Sequence, residues 1–71
     1  MEQINLGWLR QARREKHLSL NDVGKAVGRG PTAVWRWENG KSHIKMDMLL
    51  KLAHLYEVSI ADLIMVKGEH G

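Results

Sequence analysis

Leu18-Ser19-Leu20-Asn21-Asp22-Val23-Gly24-Lys25-Ala26-Val27-Gly28 and, beyond Arg29 and Gly30, Pro31-Thr32-Ala33-Val34-Trp35-Arg36-Trp37-Glu38-Asn39-Gly40-Lys41 are the runs that decide the fold. Ser19 followed three residues on by Asp22 is a short-armed capping box, and Val23, Ala26 and Val27 lie behind it at core spacing. This predicts a short helix that stops at Gly28. Gly24 in its interior costs about 1 kcal/mol relative to alanine, which points to a close approach of another backbone, expected to be that of the next helix. Gly28-Arg29-Gly30-Pro31 reads as a tight connection, because proline is pre-organised for a first helical position and lacks an N–H that would go unpaired there. The helix opening at Pro31 carries Val34, Trp37 and Glu38 on one side and Thr32, Trp35, Arg36 and Asn39 mostly on the other, and Asn39-Gly40 stops it.

Outward from this pair, Leu6, Leu9, Ala12 and Arg13 share a face of an N-terminal helix that Asn5 can cap and that ends near Lys16 or His17. Lys41 to Lys45 is a polar connection with Ile44 embedded in it. From Met46 onward, Leu49, Leu50, Leu52, Ala53, Leu55 and Tyr56 cover more than half of a helix surface, which predicts a helix central in the core. Ser59-Ile60-Ala61-Asp62 repeats the Ser-x-x-Asp cap and opens a last short helix running through Leu63 and Ile64 towards Val66. No strand is expected: Val58-Ser59-Ile60 is the only alternating stretch, and the cap signal overrides it. The expected architecture is all-α, five short helices within residues 1–66, followed by a flexible tail over 67–71 that frays.

With 71 residues the chain has room for one core and none for a catalytic cleft between domains, which excludes a large enzyme. Lacking cysteine, it can form no disulfide, zinc–thiolate site or thiol nucleophile, which favours a reducing compartment. The longest uninterrupted apolar run, Leu63 to Val66, is far too short to span a membrane. His17, His43, His54 and His70 form no i, i+4 pair and no cluster with carboxylates at ligand spacing, and each reads as a surface or helix-end residue. Gly28-Arg29-Gly30 lacks the preceding strand and later glycine of a nucleotide fingerprint. No metal, cofactor or small-molecule substrate is expected, and no enzymatic activity.

The formal net charge of +3 hides a polarised chain. From Arg10 to Lys45 nine cations (Arg10, Arg13, Arg14, Lys16, Lys25, Arg29, Arg36, Lys41, Lys45) face three anions (Glu15, Asp22, Glu38), a balance of +6. The remaining Lys51 and Lys67 against Glu2, Asp47, Glu57, Asp62 and Glu69 come to −3. A basic segment of this kind is either a solvated charged face or the footprint of a polyanion binder, because phosphate neutralisation by Lys and Arg supplies most non-specific affinity for nucleic acid.

The order of these elements, together with Trp37-Glu38-Asn39-Gly40-Lys41, resembles the lambda repressor and Cro family of helix-turn-helix proteins, also called the XRE family. The similarity runs from Leu6 to Ile64 and includes Leu49 to Ala53 and Val58-Ser59 with Leu63. The resemblance implies a five-helix domain that places its third helix in the DNA major groove, as a homodimer on a double-stranded operator with two-fold character. It further implies a sequence-specific transcriptional regulator, a Cro-like repressor of a phage, prophage or plasmid. Such a protein works in the cytoplasm, at the nucleoid, of a bacterial or phage-infected cell. The absence of a linker-like tract beyond Met65 is what a complete small regulator would show.

A major groove about 12 Å wide admits one helix, and only the face opposite Val34 and Trp37 is free to enter it. Thr32, Trp35 and Arg36 are therefore the candidate base readers. Arg36 can reach guanine O6 and N7 in a bidentate contact, against a solvated or phosphate-bound arginine; Thr32 can offer its methyl to thymine or its hydroxyl to a base edge, against local backbone bonding. Arg29, in the turn, suits a phosphate. The resemblance adds Asn39, Lys41 and the amides after Gly40 as a phosphate-binding stretch that His43 and Lys45 can extend. Asn21, with the amides opening its helix, is the remaining phosphate candidate. Arg13 and Glu38 match family positions that form a partly buried ion pair; the alternative is two separate surface charges. Trp37 matches a core position.

Three residues depart from the family pattern. Leu20 stands where a phosphate-gripping glutamine is common, Pro31 where a polar reader is frequent, and Trp35 where a small or polar residue is usual. Together they can form an apolar patch, which supports an alternative function: a protein-interaction module on the same fold, antitoxin-like or antirepressor-like. Trp8, beside the core-facing Leu9, either covers the last helix or a dimer partner or stands partly exposed. Val58, Ile60 and Ile64, with Met65, carry more apolar surface than a final turn needs, which points to isologous dimerisation through this region.

Overall fold

The computed structural model describes residues 2–66. Five helices follow in the expected order: α1 (Leu6–Glu15), α2 (Leu20–Val27), α3 (Pro31–Glu38), α4 (Met46–Tyr56) and α5 (Ile60–Leu63). The tail expected over 67–71 lies outside the described residues.

The helix starts follow the local chemistry. Asn5 Oδ1 accepts the Trp8 N–H at 3.0 Å, opening α1. At α2 the capping box is complete: the Asp22 N–H donates to Ser19 Oγ and the Ser19 N–H donates to Asp22 Oδ2, each at 2.9 Å. These bonds to its charged form hold the Asp22 carboxyl below its ordinary range. The second Ser-x-x-Asp forms only half of this device. Ser59 Oγ accepts the Ala61 N–H at 3.2 Å, while the Asp62 carboxylate makes no return bond to Ser59 among the described residues.

One buried cluster holds the helices together. It contains Leu9 and Ala12 of α1, Val23 and Val27 of α2, Val34 and Trp37 of α3, Met48, Leu49, Leu52, Ala53 and Tyr56 of α4, and Leu63 of α5. The expectation for α4 needs a correction in phase. Met48 is buried, whereas Leu50 is 51% and Met46 55% exposed. Helix α4 packs against α2 and α5, and its near-continuous apolar run left the edge of the buried side undefined in sequence.

The expectation of no strand also needs correction. β1 (Glu2–Ile4) and β2 (Ile64–Val66) pair antiparallel in the register Glu2↔Val66, Gln3↔Met65, Ile4↔Ile64, and the Asn5 N–H donates to the Leu63 carbonyl at 2.8 Å. Helix α5 therefore stops at Leu63, and Ile64 is extended (φ −114°, ψ 131°) rather than helical. The physical cause is pairing between opposite ends of the chain, where β-branched Ile4 faces Ile64. Three residues are too few to show a period of two.

Candidate nucleic-acid interface

The spacing between α2 and α3 is set by Gly24. A Cβ there would lie 2.7 Å from the Arg29 carbonyl oxygen and 2.8 Å from the Gly30 carbonyl carbon, so the backbone that comes close is the turn itself rather than the next helix. The Arg29 N–H donates to the Gly24 carbonyl at 2.6 Å, locking the turn onto α2. Pro31 then starts α3 with no side-chain cap over its first amides.

Helix α3 separates its two faces as its sequence implied. Val34, Trp37 and Glu38 are buried, and Pro31, Thr32, Trp35 and Arg36 are exposed, Trp35 at 46%. Leu20 is half-buried against the core, so the apolar patch on this surface is narrower than sequence suggested and consists of Pro31 and Trp35. Trp8 is partly exposed, at 37%.

On the buried face, Arg13 reaches Glu38 with a two-pronged contact: Nε to Oε2 at 2.6 Å and Nη2 to Oε1 at 3.1 Å. Its third nitrogen, Nη1, donates to the Leu18 carbonyl at 2.9 Å, and Arg10 Nε approaches Glu38 Oε1 at 3.5 Å. The hydrogen bond to Glu38 raises the Arg13 guanidinium above its ordinary pKa, against a smaller opposing effect of burial. This cluster joins α1, the α1–α2 turn and the end of α3. Beside it, Tyr56 is buried with a hydroxyl that has no hydrogen-bond partner among the described residues; burial first, and the charge of Glu38 second, push its pKa upward.

On the exposed face, the C-terminal end of α3 is closed by paired backbone bonds. The Lys41 N–H donates to the Arg36 carbonyl at 2.8 Å and the Gly40 N–H to the Trp37 carbonyl at 3.3 Å, with Gly40 at φ 70°. Arg36 returns a second grip from its side chain: Nε donates to Ser42 Oγ at 2.8 Å and Nη2 to the Lys41 carbonyl at 3.0 Å. Asn39 is also engaged, Nδ2 donating to the Trp35 carbonyl at 2.8 Å and Oδ1 accepting from Arg10 Nη2 at 3.4 Å.

Of the expected phosphate residues, the structure brings Arg29, His43 and Lys45 together along one groove of about 420 Å³, lined also by Val27, Gly28, Trp37, Asp47, Met48 and Lys51. Asn21 and Lys41 are exposed outside it. Ser42 and Lys51 are additions that sequence reading missed. Ser42 sits unmarked inside a polar connection, and no spacing rule links Lys51 on α4 to a turn before α3. Val58, Ile60 and Ile64 are half-buried against this chain's own core.

Among the described residues no three His, Cys, Asp or Glu side chains stand together as a metal site, and no helix is long and apolar enough to cross a membrane. The arrangement has instead the parts of a nucleic-acid reader: an exposed helix face with an arginine, amides without a cap, and cations on both sides. No curated protein matches the chain. A family model described as Helix-turn-helix matches residues 9–63. The chain therefore belongs to the lambda repressor-like, XRE-type helix-turn-helix family, whose members are DNA-binding domains.

Proposed function

We propose that this chain is a Cro-like transcriptional repressor of a phage, prophage or plasmid, which inserts α3 into the major groove of a two-fold operator. The observation that carries this reading is the exposed face of α3, where Thr32, Trp35 and Arg36 stand opposite the buried Val34 and Trp37. Those three read base edges. Asn21, Arg29, Asn39, Lys41, His43 and Lys45 hold phosphates, with Asn39 acting through the backbone it orders, because its own amide is already engaged. Binding involves no chemistry and no cofactor, and takes place at the nucleoid of a bacterial or phage-infected cell.

Two copies bind successive half-sites about 34 Å apart, one helical turn. The dimer uses the surface that Val58, Ile60 and Ile64 leave uncovered after packing on their own core. Sedimentation at micromolar concentration, with and without operator, checks this: a monomer under both conditions would exclude the dimer.

The exposed Trp35 and Pro31 favour a second reading, a protein-interaction module of antitoxin or antirepressor type. Selection of bound sites from random duplexes across a salt series separates the two. A two-fold motif, with affinity falling by about 0.9 logarithmic units per phosphate neutralised and per decade of salt, supports the repressor. Absent or salt-independent binding, together with capture of a protein partner, supports the module.

A further inference from the structure

We propose that Ser42 is a specificity-determining positioning residue: with the Lys41 carbonyl, it holds the Arg36 guanidinium by one edge and turns the other edge outward to a guanine. This inference rests on the reading of α3 as the DNA-reading helix. The Nε–Nη2 edge of Arg36 is occupied by Ser42 Oγ at 2.8 Å and the Lys41 carbonyl at 3.0 Å, while Nη1 has no partner among the described residues. An arginine held on one edge keeps its Nη1–Nη2 end for a bidentate contact, which is the form that reads guanine O6 and N7.

The anchor is fixed rather than loose. The Lys41 backbone is held at both ends by the same residue: its N–H donates to the Arg36 carbonyl at 2.8 Å, and its carbonyl accepts from Arg36 Nη2 at 3.0 Å. Arginine has large rotamer freedom, and losing it on contact with a base weakens binding. Ser42 removes that freedom before DNA arrives. The loop that follows α3 thereby serves base recognition as well as phosphate contact, and the residue that connects the two is an uncharged serine.

The test uses two short duplexes, one carrying the site that the unaltered chain enriches from a random pool and one with that site scrambled. Ser42→Ala is expected to weaken binding to the enriched duplex by about 3- to 10-fold and to leave the scrambled duplex unchanged. In an Arg36→Ala background the same substitution should have no further effect. Ser42→Thr, which keeps the hydroxyl, should restore the preference, and thermal melting should be the same for Ser42→Ala and the unaltered chain. Equal weakening on both duplexes would make Ser42 a phosphate contact and overturn the proposal. A lowered melting temperature with an unchanged preference would make it a loop support and overturn it as well. If the unaltered chain enriches no site at all, the DNA-reading role of α3 falls, and the role of Ser42 falls with it; if it enriches a site that Ser42→Ala reads equally well, only the role of Ser42 falls.

Discussion

Arg13 and Arg36 flank the C-terminal end of α3 and use the same atoms in the same way. Each presents Nε and Nη2 as a fork, Arg13 to Glu38 at 2.6 and 3.1 Å, Arg36 to Ser42 and the Lys41 carbonyl at 2.8 and 3.0 Å. Their surroundings differ. The Arg13 and Glu38 side chains are 11% and 3% exposed and every nitrogen of Arg13 has a partner, whereas Arg36 lies on the exposed face of its helix and accepts help from neutral oxygens only. Burial turns a paired arginine into framework, because removing its partner strands a charge in a poor solvent. Exposure with neutral partners leaves the charge unneutralised and available to a polyanion.

The sharpest way to break this contrast is at its buried member. Glu38→Ala is expected to destabilise the fold by about 3 to 5 kcal/mol, since Arg13 is left unpaired; urea unfolding measures it, and a loss below 1 kcal/mol would place the pair among weak surface bridges. Gly24→Ala should cost about 1 to 3 kcal/mol by the same measurement, because its new Cβ meets the turn backbone at 2.7 to 2.9 Å and must displace α3 relative to α2. Arg36→Ala should behave oppositely to Glu38→Ala. It loses about 1 to 3 kcal/mol on an enriched operator while changing unfolding stability by no more than about 0.5 kcal/mol.

A smaller effect probes the buried region from its apolar side. Tyr56→Phe removes a buried hydroxyl that has no partner among the described residues, and stability should rise by about 1 kcal/mol. A fall would mean that the hydroxyl supports the adjacent Arg13–Glu38 cluster. The smallest effect lies outside both arginines. Asp22, held by the Ser19 backbone, and Glu57, hydrogen-bonded to Lys16 at 2.9 Å, have carboxyls below their ordinary values of 3.8 and 4.5. Their contribution is complete above those values and is lost as pH falls through the depressed folded values, so unfolding midpoints should decline in strong acid. Added salt should erase the Glu57 share, an exposed ion pair, and spare the capping box.

The same contrast explains what sequence could show. The α2–turn–α3 unit was legible because its signals are local: Ser19 and Asp22, Gly24, Pro31 and Asn39-Gly40 each act within a few residues. The buried side of α3 was legible from the spacing of Val34, Trp37 and Glu38. The Arg36–Ser42 tie was not, because a flexible side chain meeting a loop hydroxyl obeys no period. Nor was the terminal ribbon, which pairs Ile4 with Ile64 from opposite ends of the chain. In α4, the apolar excess around Leu50 blurred which side faces the core, and the structure turns Met48 inward instead.

The exposed face of α3 is proposed to read sequence through Arg36. Parallel selections from one random duplex pool, with the unaltered chain and with Arg36→Ala, test it most directly. The expected outcome is a two-fold motif for the unaltered chain and the loss of preference for a guanine at one position of each half-site in the variant, with the remaining positions kept. An identical motif from both proteins, or none from either, would contradict it.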